Sequence, residues 1–182
     1  MESQNLLSDG TRLTCRILKW LAVAIAGAIA VIFFATDAST LIVDAAWNGL
    51  QDNVREAVTY SSGKKWLLHG LASIGYFSLL LIVFGAVRVF AVFQKGAAFS
   101  VPAVRAVRFF GLMIVLYAAT RLVMPTLIVL GLTLDNDDGL RALTIAVDMS
   151  EITLLIVGAV ILVIGQILTQ AVGIARENDQ FI

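Results

Sequence analysis

Charge is scarce in this chain. Only 14% of its 182 residues are Asp, Glu, Lys or Arg, where soluble globular domains carry about a quarter. The charges that exist cancel to a formal net of zero, so no global field points to nucleic acid or to an acidic partner. A single cysteine, Cys15, excludes a disulfide framework within the chain. A single histidine, His69, leaves too few ligands for a His/Cys metal site, and no cofactor is expected. Only two prolines occur, Pro102 and Pro125, which suits long uninterrupted helices.

Apolar side chains fill the space that charge leaves. The hydrophobic share is 59% and the mean hydropathy +0.92, more than one water-soluble core of this size can hide. A hydrocarbon layer of about 30 Å needs about 20 helical residues. Four stretches reach that length: 19–36, 66–87, 109–134 and 152–175. Strands cannot replace them, because four segments cannot close a barrel and open strands leave backbone groups unsatisfied in lipid. The expectation is an all-α integral membrane protein, a four-transmembrane-helix bundle occupying 1–182 as one membrane domain.

Arg12, Arg16 and Lys19 before the first span resemble the lead of a signal peptide. Asp37 spoils the small-residue cleavage pattern in Ala-Thr-Asp-Ala, and Cys15 precedes the apolar run, so an uncleaved anchor is expected. Orientation follows from Lys and Arg in the connections. Arg88, Lys95, Arg105 and Arg108 fill the connection 88–108, which has no acidic residue. Acidic residues dominate the connections 37–65 and 135–151. The bias places both termini and 88–108 in the cytoplasm, with Trp20, Tyr60 and Trp66 near span ends, where amphipathic rings settle.

In the first outer connection Trp47, Leu50, Val54 and Val58 recur at helical spacing, with Ser61-Ser62-Gly63 after them. This predicts a short amphipathic helix, lying on the outer membrane surface or packed against the bundle mouth. In the second, Leu130 to Leu134, an Asp135-Asn136-Asp137-Asp138-Gly139 turn and Leu143 to Val147 form the pattern of a small outer β-hairpin. The acidic turn is not a calcium loop: counted from Asp135, Gly139 is fifth rather than sixth, and Ala146 stands where a twelfth-position Glu belongs.

The central connection has its own grammar. Gly96 permits a tight turn, Phe99 can anchor in the headgroup layer, Ser100 is placed to cap a helix, and Pro102 falls in the first turn after it. Arg105 and Arg108 either set topology or face lipid phosphates or a partner. The run Phe93-Gln94-Lys95-Gly96-Ala97-Ala98-Phe99-Ser100 leads through Val104-Arg105 and Arg108. The tail pairs Ile167-Leu168-Thr169-Gln170-Ala171 with Ala175-Arg176-Glu177-Asn178-Asp179-Gln180-Phe181-Ile182. With four spans at these positions, the chain resembles the bacterial domain-of-unknown-function family numbered 2975. The resemblance covers most of the chain and is weakest in the first outer connection. It implies a multi-pass protein of the bacterial inner membrane without an established activity, and a partnership with a small helix-turn-helix regulator. The terminal Phe181 and Ile182 could fold back on the membrane or dock to a protein.

Arg121 is the residue most out of place. It lies about 18 Å into the third span, close to mid-membrane, where a bare arginine costs about 2.5–3.5 kcal/mol. Pro125, four residues later, disrupts the bond to the carbonyl of residue 121. No acidic residue lies inside a span, so its company must come from Gln166, Tyr76, Tyr117, Ser73, or Glu151 and Asp148 at the outer end of the last span. It is either the gate or anion contact of a small cavity, or an arginine that snorkels and locks the bundle. The stripe Ala22, Ala26 and Ala30 suits close packing within the bundle or a homo-oligomer.

The chain offers no paired intramembrane carboxylates, nucleophile motif or ligand cluster, so an enzyme is not expected. A regulatory or scaffolding protein working in the bilayer through membrane or cytosolic partners is the preferred reading, without direct contact to nucleic acid. A small transporter or channel subunit using Arg121 is the alternative.

Overall fold

A computed structural model describes residues 8–35, 38–59, 61–96, 99–137, 139–145 and 147–179, leaving aside the side chains at 38–39 and 175–179. Tyr60, Asp37, Asp138, Phe181 and Ile182, and the middle of the Gly96-Ala97-Ala98-Phe99 run, lie outside the described residues. Each apolar stretch coincides, over its described residues and to within one position, with one long helix: α1 (Asp9–Ala35), α4 (Ser62–Phe93), α5 (Val101–Thr133) and α6 (Met149–Asp179). Two short helices, α2 (Ala38–Asn48) and α3 (Asp52–Glu56), lie between α1 and α4. This is a multi-pass membrane protein built of four apolar helices.

The helix ends follow local chemistry. Ser61, extended, accepts a hydrogen bond from the Lys64 amide and starts α4, so Ser61-Ser62-Gly63 begins a helix rather than ending one. After Phe93 the chain turns at Gly96, whose φ of 79° suits a residue without Cβ. Ser100 accepts from the Ala103 amide, and Pro102 sits in the first turn, where no N–H is needed. The connection expected over 88–108 therefore shrinks to a turn of a few residues, because both flanking helices run on past their apolar cores. α5 continues through Pro125 to Thr133.

α1 packs along α4, α4 along α5, and α5 along α6, while α2 crosses α4 and α5. Among the described residues α1 and α6 share no packed interface. The seam between α5 and α6 is made by glycine. The buried positions of α6, Glu151, Gly158, Gly165 and Val172, are seven residues apart, the repeat that keeps one stripe on a partner helix. A Cβ on Gly158 would lie 2.7 Å from the Val115 side chain and 3.0 Å from its backbone nitrogen, and one on Gly111 would lie 3.0 Å from the Leu162 nitrogen. Gly85 gives α4 the same close approach to Phe110 of α5. In lipid, where apolar burial drives nothing, such contact is what holds helices together. Ala22, Ala26 and Ala30 fall among the less exposed positions of α1.

α4 and α5 outlast their neighbours. The last turn of α1 brings Phe33 against Tyr76, with ring centroids 4.9 Å apart, and the first turn of α6 brings Glu151 against Arg121. Beyond that level α5 continues for about 18 Å. Around the protruding pair lies a cap formed by α2, α3 and the described residues of 134–148, with a small core of Val43, Leu50, Val54, Leu68, Ala72, Ile128, Val129 and Leu132. The amphipathic segment is thus two helices rather than one, broken at Gly49-Leu50, and its apolar face packs on the mouth of the bundle. Arg55 bridges the break by donating to the carbonyls of Asn48 and Leu50.

The expected β-hairpin is not there. Leu130 to Thr133 belong to α5, and no strand occurs among the described residues of 140–148. Side chains take over the work of strand pairing: Thr133 exchanges hydrogen bonds with the backbone of Ala142, Thr126 donates to the Thr144 carbonyl, and Asn136 donates to the carbonyls of Val54 and Leu140.

Candidate functional site

The only ion pair linking two of the four long helices among the described residues is that between Arg121 and Glu151. Asp148-Met149-Ser150-Glu151 is a capping box: the Asp148 carboxylate accepts from the Ser150 amide, and Glu151 Oε2 reaches back to accept from the Asp148 amide. Its other oxygen, Oε1, accepts from Arg121 Nε at 2.8 Å. One carboxylate thus starts α6 and ties it to α5. Glu151 is covered, with 6% of its side chain exposed, whereas 49% of the Arg121 side chain is open.

Arg121 opens onto a cavity of about 540 Å³ between α2, α4, α5 and the start of α6. Its polar wall is Arg121, Glu151, Asp148, Tyr76, Tyr117 and Thr120, and the rest is mainly aliphatic, including Leu79, Met124 and Ile128. Thr120 is engaged with the Leu116 carbonyl, and Tyr117 lies beside the guanidinium. A pocket of this size, apolar with a few convergent polar groups, has the form of a small-molecule site. Among the described residues no three His, Cys, Asp or Glu side chains group as a metal site would need.

Of the residues expected near Arg121, Glu151 pairs with it, and Asp148, Tyr76 and Tyr117 share its cavity. Ser73 instead donates to the His69 carbonyl, and Gln166 is exposed far down α6. Pro125 lines the cavity one turn from Arg121. The depth expected for Arg121 needs correction: it lies level with the first turn of α6, not at mid-span. Hydropathy started that span at Phe109 and counted its last dozen residues as membrane-spanning, yet residues such as Ile128, Val129 and Leu132 among them pack in the cap core.

Phe99, Arg105 and Arg108 lie at or before the other end of α5, about 20 Å (Arg108) to about 30 Å (Phe99) from Arg121, and do not join its site. Phe99 is 62% exposed and Arg105 is exposed. Arg108 lays its stem over Gly165, where a Cβ would meet Arg108 Cγ, so it packs helices as well as carrying charge. Nearby, Arg88 lies over the rings of Phe84 and Phe109, and Arg12 donates to the carbonyls of Gln94 and Lys95.

Residues 49–182 match a family described as Protein of unknown function (DUF2975). The chain belongs to this family. The match takes in the cap from Gly49 onward, α4, α5 and α6, and so the whole Arg121–Glu151 contact of this DUF2975 protein. Neither the curated proteins nor the solved structures gave a match.

Two residues without a signal in the chain turn out to hold the cap. Lys64 is buried, and its ammonium donates to the carbonyls of Thr59 and Leu132 at 3.2 and 2.8 Å and pairs with Asp135 at 3.3 Å. That gives each of its three protons a partner. Asn136, also buried, bonds α3 to the following loop. Their acceptors are mostly backbone carbonyls distant in sequence, which no local pattern announces. The capping box was readable: an Asp followed three residues later by Glu before an apolar run.

Proposed function

We propose that this DUF2975 protein is a regulatory or scaffolding protein of the bacterial inner membrane, acting through protein partners rather than by chemistry of its own. The observation that carries this reading is the end of the molecule opposite the cap. There Arg12, Arg16, Lys19, Lys95 and Arg105 stand around the α4–α5 turn with Phe99 exposed beside them, against Asp9 at the start of α1 and Glu177 and Asp179 at the end of α6. An exposed aromatic within a basic field suits a partner with an acidic face. The charge asymmetry supports placing this end, with both termini, in the cytoplasm. Lys64 and Asn136 in the cap, and Glu151 at the α5–α6 contact, are engaged in holding helices, whereas Arg105 and Phe99 at this end are exposed. The glycine seams fill the space between α4, α5 and α6 below the cavity, which weighs against a conduit through one chain.

A photo-crosslinker at Phe99 in growing cells should capture one defined protein, and Arg105→Glu should abolish that adduct. Adducts to lipid alone, or an adduct indifferent to Arg105→Glu, would overturn the reading. Orientation is tested separately. With Cys15 replaced, single cysteines at Gly63 and Gly139 should label from outside the cell and one at Gly96 should not. For the transport alternative, loss of solute flux in vesicles by a folded Arg121→Leu variant would be decisive.

A further inference from the structure

The cavity beside Arg121 goes beyond that reading, because its lining has a charge layout that selects a ligand class. We propose that it binds the headgroup of a phospholipid carrying both a phosphate and a primary ammonium, with the acyl chains leaving it toward the bilayer.

The polar wall presents opposite charges a short way apart. The guanidinium is held through Nε by Glu151, with Tyr117 beside it, and half of the Arg121 side chain is exposed on the cavity wall, which offers N–H groups to phosphate oxygens. Asp148 is exposed, with Oδ1 engaged by the Ser150 amide, and faces the same space. Glu151 already balances Arg121, so Asp148 is the unbalanced charge of the wall: an anionic lipid would bring no cation to it, and a cationic amphiphile would bring no acceptor for the remaining guanidinium N–H groups. A zwitterion satisfies both. A primary ammonium also donates hydrogen bonds to a carboxylate, which a quaternary one cannot.

The apolar part supplies the rest. Leu79, Met124 and Ile128 line it, and Gly75 faces it with no side chain. A cavity of about 540 Å³ takes a headgroup and the start of a chain but not a whole diacyl lipid, so the chains must pass outward. Among the described residues the end of α1 and the start of α6 share no packed interface, and Phe34 and Ile152 are exposed there, so the chains would leave on that side. The level fits as well. α6 carries no charge from Ile152 to Ala175, so Glu151 and Arg121 stand at the edge of its apolar run, where headgroups meet acyl chains.

The test uses the full-length protein in detergent with an equimolar mixture of phosphatidylethanolamine, phosphatidylcholine and phosphatidylglycerol of identical acyl chains, bound lipid being counted by native mass spectrometry. The ethanolamine lipid should be retained about tenfold over the other two. Asp148→Asn, which still caps α6, should erase its advantage over the choline lipid. Gly75→Leu should abolish retention with an unchanged melting temperature, since a Cβ there meets no atom within 4 Å. Equal retention of the three lipids, a preference for the glycerol lipid, or a Gly75→Leu variant that binds like wild type would overturn the proposal. So would displacement of the lipid by millimolar phosphoethanolamine, which would assign the site to a free zwitterion instead.

Discussion

Two regions of this molecule are held together by different chemistry. In the cap, buried and half-buried polar side chains reach backbone carbonyls: Lys64 those of Thr59 and Leu132, Asn136 those of Val54 and Leu140, and the half-buried Arg55 those of Asn48 and Leu50. Between the level of Arg121 and that of Arg108, α5 and α6 meet through glycines. The contrast follows the surroundings. The cap ends helices and turns the chain, which exposes backbone groups needing partners, and it gathers a small apolar core. The long helices satisfy their own backbones, so only closeness of approach is left to optimise. The Arg121–Glu151 pair stands at the border between the two regimes.

If the contrast is correct, the largest effect comes from spoiling the seam. Gly158→Leu places its side chain against both the side chain and the backbone of Val115, which must push α6 off α5. A loss of about 3 kcal/mol is expected, the upper end for overpacking, because backbone as well as side chain must yield. Gly173→Leu, with no atom within 4 Å of the new Cβ, should cost almost nothing. Thermal unfolding in detergent separates the two, and similar melting temperatures would break the glycine argument.

Next in size is Lys64→Met. It leaves the Leu132 carbonyl and Asp135 without their partner, a loss of about 3 kcal/mol for a buried group with several bonds. Hydrogen exchange should quicken at Ala142 and through α3 while α6 amides near Gly158 keep their protection. Uniform loss of protection would mean that cap and seam are one cooperative unit. A smaller effect is expected at the border. Glu151→Gln keeps a side chain able to close the capping box but loses the ion pair, whereas Glu151→Ala loses both. The Ala variant should speed exchange at Asp148 about fivefold relative to the Gln variant. Equal rates would show that the capping bond contributes nothing.

How much of this could be read in the chain also divides along the border. Length and hydropathy found the four spans, because twenty apolar residues in a row have few other uses. Ser100, Pro102 and Gly96 act as their types predict, because turns and caps are local. The depth of Arg121 was not legible, since hydropathy cannot distinguish a residue facing lipid from one facing the cap core, as Ile128 and Leu132 do. The amphipathic face of 47–58 was clear, but its partner was not: a surface helix and a helix over the bundle mouth share one periodicity. The pattern of 130–147 suggested strands because Thr133 and Asn136 do their work through side chains, which alternation does not register.

The smallest effects offer the sharpest comparison, because the same change can be made on both sides of the border. Ser61→Ala and Ser100→Ala each remove one N-cap hydrogen bond, a loss of about 1 kcal/mol. Their contexts differ. The amide that Ser61 caps belongs to Lys64, whose ammonium clamps α4 to the end of α5, so a frayed first turn also misplaces the clamp. Ser100 caps Ala103, which carries no such contact. Ser61→Ala combined with Lys64→Met should therefore destabilise by less than the sum of the single changes, while Ser100→Ala combined with Lys64→Met should be additive. A double-mutant cycle on unfolding free energies measures both. Additivity in the two cycles alike would show that capping and clamping are independent in the cap, and that its hydrogen bonds do not act as one network.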